Sequence, residues 1–244
     1  MIDWEVLTIV VAALFTSALS AVAGMGGGLI LLTIMLMFLE PAEAIPVHGA
    51  IQIASNSSRA LRLRSNIDLT IVVRHVALLV PAGLLGLIAA DRLPADAGRA
   101  IIGVFALTAV WFPRVITPRP SGGFPINGFI GVGAAQGFLN IPIGATGPMI
   151  APFFRASLPQ RHQFIATFAT AQTIGHIVKV GLFTSDGLDL SGHLTLIAAA
   201  ALAVVAGTML GARMLDRISD EGFATLFKVT LTLIAVRLVV TSFL

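Results

Sequence analysis

The stretch Gly24-Met25-Gly26-Gly27-Gly28 interrupts an apolar run that extends from residue 6 to residue 39. A second apolar run, 124–156, is interrupted by Asn140-Ile141-Pro142-Ile143-Gly144-Ala145-Thr146-Gly147-Pro148. As one straight helix, a run of this length would measure about 50 Å, whereas the hydrocarbon core of a bilayer is about 30 Å thick. Because glycine and proline interrupt helices, each run predicts two half-helices separated by a break.

The composition of the whole chain is that of an integral membrane protein. Of the 244 residues, 57% are hydrophobic and 11% are charged, whereas about 25% of the residues of a soluble domain carry charge. Further apolar runs have the length of a simple span: 43–64, 70–90, 97–116, 160–183, 193–212 and 221–243. We therefore predict an all-α polytopic protein whose main partner is the lipid bilayer. The formal charge of +3 is small and its arginines are scattered, so no nucleic-acid partner is expected.

The order of the runs repeats, since one broken run followed by three simple spans occurs twice. Sliding the chain on itself by 118 residues superposes Gly26 on Gly144 and Pro41 on Pro159. We therefore predict two transmembrane repeats, 1–120 and 121–244, each with one broken or re-entrant hairpin and three transmembrane helices. Paired interrupted segments at corresponding positions are typical of secondary transporters and mark the binding site.

The distribution of arginines favours one topology over another. If both broken runs fold back as re-entrant hairpins, ten loop arginines lie on one side and two on the other. If both runs span, the same arginines divide six against six. The positive-inside rule favours the first arrangement, with six crossings, inverted repeats and both termini outside the cytoplasm.

The breaks predict an anion site made of backbone groups. Each second half-helix begins with N–H groups that have no partner within the helix, at the positive end of the helix dipole. Glycine lets a ligand approach such groups closely, so a side chain at Gly27 is expected to obstruct an anion. The alternative is that the glycines serve only close helix packing. The candidates for backbone contact are Gly26, Gly27, Gly28, Gly144, Thr146 and Gly147.

Polar side chains on two spans supply further candidates. His48, Gln52, Ser55 and Arg59 recur on one face of a single helix. In the repeat-equivalent span, Gln172, His176 and Lys179 share a face, and the 118-residue shift aligns Thr170 with Gln52. The expected substrate ligands near the middle of the membrane are Gln52, Asn56, Asn140 and Thr170, and the expected coupling or gating residues are His48, Ser55, Gln172 and His176. Arg59 and Lys179 lie close enough to the span ends to extend their charges to the interface, and that interpretation is preferred to ligand contact.

Other classes of function are disfavoured by what the sequence lacks. All twelve acidic residues fall in loops or at segment ends, although cation pathways and proton relays normally use buried acids. The HExxH, GxSxG and P-loop motifs are missing, and there is no cysteine. No enzymatic activity, cofactor or metal site is therefore expected.

The residues themselves resemble a known family. The string Ala23-Gly24-Met25-Gly26-Gly27-Gly28, the corner Glu40-Pro41-Ala42-Glu43-Ala44 and the small polar helix through Ser55-Asn56-Ser57-Ser58, followed by a basic exit from Arg59 to Arg64, resemble the TauE/SafE family of membrane permeases. Residues 137–176 are similar to that family's second repeat. One departure is Pro142 to Gly147, where members often carry another glycine cluster.

The resemblance implies a permease of the bacterial inner membrane that moves sulfite or an organosulfonate outward. The expected mechanism is alternating access with the anion held between two hairpin tips. A passive anion channel and an importer of a related anion such as thiosulfate remain alternatives. The sequence leaves the oligomeric state open, with a homodimer as one alternative.

The topology can be tested by cysteine labelling because the natural chain has no cysteine. Single cysteines on the predicted external side should react with an impermeant thiol reagent added to intact cells: Glu43, Gly98 and Leu188. Cysteines on the cytoplasmic side should not: Ile67, Gly122 and Ser157. External labelling at Ser157 together with no labelling at Leu188 would favour eight crossings instead.

Overall fold

The computed structural model describes residues 4–23, 25–112 and 124–214, and residues 228–229, 232–233, 235–237 and 239–240 near the C-terminus. Within these ranges the regular structure is entirely helical. Most of the predicted run 221–243 lies outside the described residues, and so does Gly24. The helices with defined bounds are α1 (Trp4–Ala23), α2 (Gly27–Met35), α3 (Pro41–Arg62), α4 (Leu69–Val76), α5 (Leu79–Ala90), α6 (Ala95–Trp111), α7 (Gly128–Leu139), α8 (Gly147–Ser157), α9 (Arg161–Ser185) and α10 (Leu194–Met214).

Both predicted breaks are confirmed. The first separates α1 from α2 and the second separates α7 from α8. Gly26 has φ 98° and Gly144 has φ 79°, a left-handed conformation in which a side chain is strained. The two glycines are those that the 118-residue shift superposes, so a glycine with positive φ occurs at both breaks.

One predicted span is divided. The run 70–90 forms α4 and α5, which are bent by 40° relative to each other. Pro81 lies in the first turn of α5 and has no N–H to donate to the carbonyl of Ala77, one turn earlier. The run 70–90 therefore remains a candidate span, but it is bent between α4 and α5 and is not one straight helix.

Two described helices are long and apolar enough to cross a membrane unaided, over Trp4–Val22 and Ser191–Arg213, and α4 with α5 forms a third candidate if the bent pair is one span. α3 and α9 contain 22 and 25 residues and are about 33 Å and 38 Å long at 1.5 Å per residue. They are less apolar because they carry half of the buried polar or charged side chains of the described residues. α2 and α8, at 9 and 11 residues, are half-helices as predicted.

The helices pack in equivalent pairs. α3 packs along α9 in the centre, α1 packs along α10, and α7 packs along α5. Each broken segment thus contacts a helix from the other half of the chain. Glycine permits the close approach at both contacts, since a Cβ on Gly211 would lie 2.3 Å from the Ala18 carbonyl oxygen and one on Gly86 would lie 2.3 Å from the Phe138 carbonyl oxygen.

Two apolar clusters flank the central α3–α9 pair. One is aliphatic and joins α1, α2, α3, α6 and α10 through residues such as Leu31, Ile51 and Val204. The other is aromatic and contains Phe129 and Phe154, whose ring centroids are 4.9 Å apart. These clusters hold the two half-helices against the centre of the bundle.

The fold corrects one position in the labelling experiment. Gly98 is buried, and a Cβ there would lie 3.5 Å from Pro41. Asp96, which is exposed in the first turn of the same helix, α6, is the better external site. Gly122 lies outside the described residues.

Candidate functional site

Both chain breaks line one cavity. They contribute the segments 25–29 and 145–148, while the central helices α3 and α9 supply most of the polar side chains. The cavity volume is about 40 Å³, and since one water needs roughly 10–15 Å³ of such space, a small oxyanion fits and a bulky solute does not. The lining consists of Ser20, Met25, Gly26, Gly28, Leu29, His48, Gln52, Asn56, Arg59, Ala145, Thr146, Gly147, Pro148, Phe168, Gln172 and His176. This set contains no acidic residue.

The N-termini of the two half-helices meet at this cavity. Gly26 is the N-cap of α2 and Thr146 is the N-cap of α8, and neither makes a side-chain capping hydrogen bond. The hydroxyl of Thr146 is buried without a partner among the described residues. The N–H groups of Leu29 and Met149 already bond to the carbonyls of Gly26 and Thr146, and Pro148 has no N–H. The N–H groups at the very start of each half-helix, those of Gly27, Gly28 and Gly147, have no acceptor one turn earlier in the helix.

The glycines at these N-termini differ in what they face. A Cβ on Gly27 would lie 1.9 Å from the carbonyl oxygen of Thr16 in α1. A Cβ on Gly28 would instead lie 3.1 Å from Gln52 Nε2, and one on Gly147 would lie 3.8 Å from Gln172 Nε2. The expectation that a side chain at Gly27 would obstruct the anion was therefore wrong, because it would meet α1. At Gly28 and Gly147 a side chain would enter the cavity.

A chain of hydrogen bonds runs along α3 into the cavity. Arg59 Nη2 donates to Asn56 Oδ1 at 2.6 Å. Asn56 Nδ2 donates to the Gln52 carbonyl at 2.9 Å and to Gln52 Oε1 at 3.3 Å. The Gln52 amide nitrogen then lies beside Gly28 at the first half-helix N-terminus.

Arg59 and Lys179 do not extend to the membrane interface, and the preferred prediction for them was wrong. Their exposed fractions are 5% and 1%. Arg59 lines the cavity and also donates to the carbonyl of Ser20 at 3.3 Å. Lys179 lies outside the lining and donates to the carbonyl of Gly144 at 2.9 Å.

The carbonyls at the C-terminal end of α1 are paired with arginines from both central helices. Arg59 of α3 reaches Ser20, and Arg161, the first residue of α9, donates to the carbonyl of Val22. The negative end of a helix dipole would otherwise repel an anion near the first break. These contacts therefore offset an unfavourable field at the cavity.

His48 of α3 and His176 of α9 both line the cavity. Their ring centroids are 5.7 Å apart. His48 Nε2 lies 2.8 Å from the carbonyl oxygen of Gly28, and because a carbonyl only accepts, this nitrogen carries the hydrogen. Nδ1 of each ring is buried without a hydrogen-bond partner among the described residues.

Gln172 belongs to a second polar chain that leaves the cavity. Its Oε1 accepts from Gln136 Nε2 at 3.0 Å. Gln136 Oε1 in turn lies 2.6 Å from His75 Nε2 on α4. Both Gln136 and His75 are fully buried and lie outside the cavity lining.

Five predicted site residues do not line the cavity: Gly27, Ser55, Asn140, Gly144 and Thr170. The carbonyls of Ser55 and Gly144 accept hydrogen bonds from Arg59 and Lys179. Asn140 is buried, and its side-chain atoms have no partner in the described part of the chain. The hydroxyl of Thr170 donates to the Ala166 carbonyl of its own helix at 2.8 Å.

The position of Thr170 follows from a register difference. α2 and α8 begin at Gly27 and Gly147, and α3 and α9 begin at Pro41 and Arg161, so the spacing after the break is 120 residues. The shift of 118 residues holds only as far as Gly144. With the longer spacing Gln52 corresponds to Gln172, and both line the cavity.

Sequence reasoning missed other residues of the site. Ser20, Met25, Leu29 and Phe168 line the cavity but carry no pattern that separates them from the apolar runs. His75 was overlooked as well, although a histidine within an apolar run is a usable signal.

Among known proteins, one family matches most of the chain. The sequence profile of the family described as "Sulfite exporter TauE/SafE" matches residues 9–238. The chain belongs to the TauE/SafE sulfite exporter family. No curated protein and no solved structure gives a significant match. Membership of this transporter family agrees with the apolar helices of a membrane protein, and it gives the cavity between the breaks a class of ligand to test.

The different surroundings of Gly27 and Gly147 predict different effects of one added methyl group on stability. Gly27→Ala would force α2 away from α1, because the new Cβ would lie 1.9 Å from Thr16 O and 2.4 Å from Ser20 Oγ. It should lower the midpoint of thermal unfolding in detergent by several degrees. Gly147→Ala should unfold close to wild type, as should the control Gly181→Ala, whose Cβ meets nothing within 4 Å. Equal midpoints for the alanine variants at 27 and 147 would contradict this assignment.

Proposed function

We propose that this TauE/SafE family member exports a small sulfur-containing oxyanion, sulfite or an organosulfonate, and binds it between the N-termini of α2 and α8. The proposed backbone donors are the N–H groups of Gly26, Gly27, Gly28, Thr146 and Gly147. The proposed side-chain ligands are Gln52, Arg59 and Gln172, which replace part of the hydration shell. Asn56 would act through Gln52 and Arg59, because its amide group is hydrogen-bonded to both. Asn140, Gly144 and Thr170 would act from outside the lining, by supporting the break and the central helix.

The observation that carries the proposal is the chemistry of the cavity. Two half-helix N-termini, one permanent cation and three amide side chains face a space whose lining contains no carboxylate. A cation would find few ligands there, whereas an oxyanion accepts from every one of these donors. The small volume favours a compact anion over a long one.

We propose that the two halves, 1–120 and 121–244, are inverted repeats. Three features support this arrangement: left-handed glycines at both breaks, the spacing of 120 residues between corresponding helix starts, and the packing of each broken segment on the opposite half. In the proposed cycle of alternating access, rocking of one half against the other along α3 and α9 would expose the anion to each side in turn. The protein would lie in a bacterial inner membrane with both termini periplasmic.

Export of an anion needs no coupling ion in this scheme. A membrane potential that is negative inside favours the exit of a negative charge by about 2.3 kcal/mol per 100 mV. His48 and His176 are the proposed gating residues. Both line the cavity, and Nδ1 of each ring is buried without a hydrogen-bond partner among the described residues, so its hydrogen bonding can change when an anion enters. Ser55 would contribute through its carbonyl contact with Arg59.

Binding and flux can be measured on the purified full-length chain. Sulfite or methanesulfonate should raise the midpoint of thermal unfolding, whereas choline should not. In proteoliposomes, flux should saturate with sulfite concentration, and unlabelled sulfite on the opposite side should accelerate the exchange of labelled sulfite. Non-saturating flux without counterflow would favour a channel, and no binding of either anion would contradict the proposed function.

Variants of the lining test which donors hold the anion. Gln52→Leu, Asn56→Leu and Arg59→Gln should each weaken sulfite binding by roughly ten- to a hundredfold, because one hydrogen bond to a charged group contributes about 1.5–3 kcal/mol. The matched control is Thr173→Val, whose hydroxyl bonds only to its own helix at Ala169. Isothermal titration with sulfite measures the affinities. Wild-type affinity in both leucine variants would contradict the proposed side-chain ligands.

A methyl group at the second break tests the approach to the backbone donors. Gly147→Ala places a Cβ in the cavity at 3.8 Å from Gln172 Nε2 without a steric clash. The variant should fold normally and bind sulfite at least about tenfold more weakly, which corresponds to about 1.4 kcal/mol. Gly181→Ala, which has open space around its Cβ, should keep wild-type affinity. An unchanged sulfite affinity in Gly147→Ala would show that the anion does not approach this N-terminus.

A further inference from the structure

The side-chain amide of Gln172 has a hydrogen-bond donor without an acceptor among the described residues. Its side chain lines the cavity and is 5% exposed, and its Nε2 has no hydrogen-bond partner among the described residues. A buried polar nitrogen without a partner is costly. A ligand in the cavity that accepts a hydrogen bond would remove this cost.

The chain on α3 shows how such an amide is oriented. An arginine side chain only donates, so Asn56 must turn its oxygen toward Arg59 and its nitrogen toward Gln52. Gln52 must then turn its oxygen toward Asn56, which leaves its nitrogen beside Gly28. The direction of every hydrogen bond in this chain follows from the one residue that cannot accept.

The hydrogen bonds from His75 through Gln136 to Gln172 also run from donor to acceptor toward the cavity, but they begin outside it. His75 Nε2 faces the oxygen of Gln136, so this nitrogen carries the hydrogen and donates. Gln136 then donates through Nε2 to Gln172 Oε1. The remaining nitrogen, Gln172 Nε2, lies beside the position of a Cβ on Gly147. Each chain therefore ends in an amide N–H next to the N-terminus of a half-helix.

We propose that His75 and Gln136 are positioning residues that orient the Gln172 amide so that its N–H group, and not its carbonyl, faces the bound anion. With the Arg59–Asn56–Gln52 chain on the opposite side, they would make the site selective for oxyanions whose oxygens only accept hydrogen bonds, such as sulfite and sulfonates. This inference rests on the proposed function of the same cavity. The inference assigns a role to His75 and Gln136, which do not line the cavity. Their role is to set the direction of the hydrogen bond that Gln172 accepts.

The competing explanation is that His75 and Gln136 serve packing alone. His75 is fully buried and packs edge to face on Phe154, with ring centroids 5.1 Å apart. A packing role predicts that their loss weakens binding whether or not Gln172 is present. A positioning role predicts that the loss depends on Gln172, which a double-mutant cycle measures.

The experiment uses the full chain in nanodiscs and isothermal titration with sulfite and with methanesulfonate. Gln136→Leu and His75→Leu are each measured alone and combined with Gln172→Leu, and Thr173→Val on α9 is the matched control. Each single positioning variant should bind sulfite about tenfold more weakly, since the Gln172 amide is then free to rotate. In the Gln172→Leu background the same substitutions should change the affinity by less than about twofold.

Two results would overturn the inference while leaving the proposed function intact. One is wild-type affinity in Gln136→Leu and His75→Leu. The other is the same fold-loss in both backgrounds, which is the result that packing alone predicts. If one variant fails to fold, the other completes a cycle by itself, because both act through Gln172. Absence of binding by the wild-type chain would overturn the proposed function and this inference together.

Discussion

A hydrogen-bonding group in the hydrocarbon region that has no partner inside the protein is costly, because lipid supplies none. The two breaks in the chain place unpaired N–H groups of α2 and α8 in the interior, and the rest of the site is arranged around them. Their donors face one cavity, and the polar faces of α3 and α9 close it. The breaks are tolerated because they line this cavity and do not face lipid.

The half-helices that precede the breaks end in carbonyl groups without intrahelical donors, and these carbonyls need donors from elsewhere. Arg59 and Arg161 supply them to Ser20 and Val22 at the end of α1, and Lys179 supplies one to Gly144 in the second break. The two halves solve the problem with different groups. Arg59 lines the cavity while Lys179 lies behind it, so the two sides of a bound anion would meet different fields even though their backbones correspond.

The sequence predicts much of this arrangement because helix breakers and polar residues are rare in apolar runs. The breaks at Gly26 and Gly144, the half-helices and nine lining residues, from Gly26 to His176, follow from that contrast. The sequence does not predict how deeply a side chain is buried, nor the register in which the two halves correspond. Arg59 and Lys179 lie near the ends of their apolar runs, but the bundle closes around them, and hydropathy along one chain does not report such neighbours. Thr170 was aligned with Gln52 because two extra residues in the second break are invisible without the three-dimensional position of Gln172. His75 escaped notice because its importance lies in a contact with Gln136, 61 residues away.

The missing carboxylates explain how these cations can be both buried and useful. A buried cation is costly unless it is compensated, and a carboxylate partner is the usual compensation. The hydrogen bonds that Arg59 and Lys179 make include those to carbonyl oxygens and to one amide oxygen, which carry only partial charges. A fixed carboxylate beside Arg59 would satisfy the cation completely and would compete with any anion that enters. Under the proposed function, an entering oxyanion would meet Arg59 as a residue of the cavity lining, and no carboxylate of that lining would compete with it. A site built in this way can bind an anion without retaining it, which is what a carrier requires.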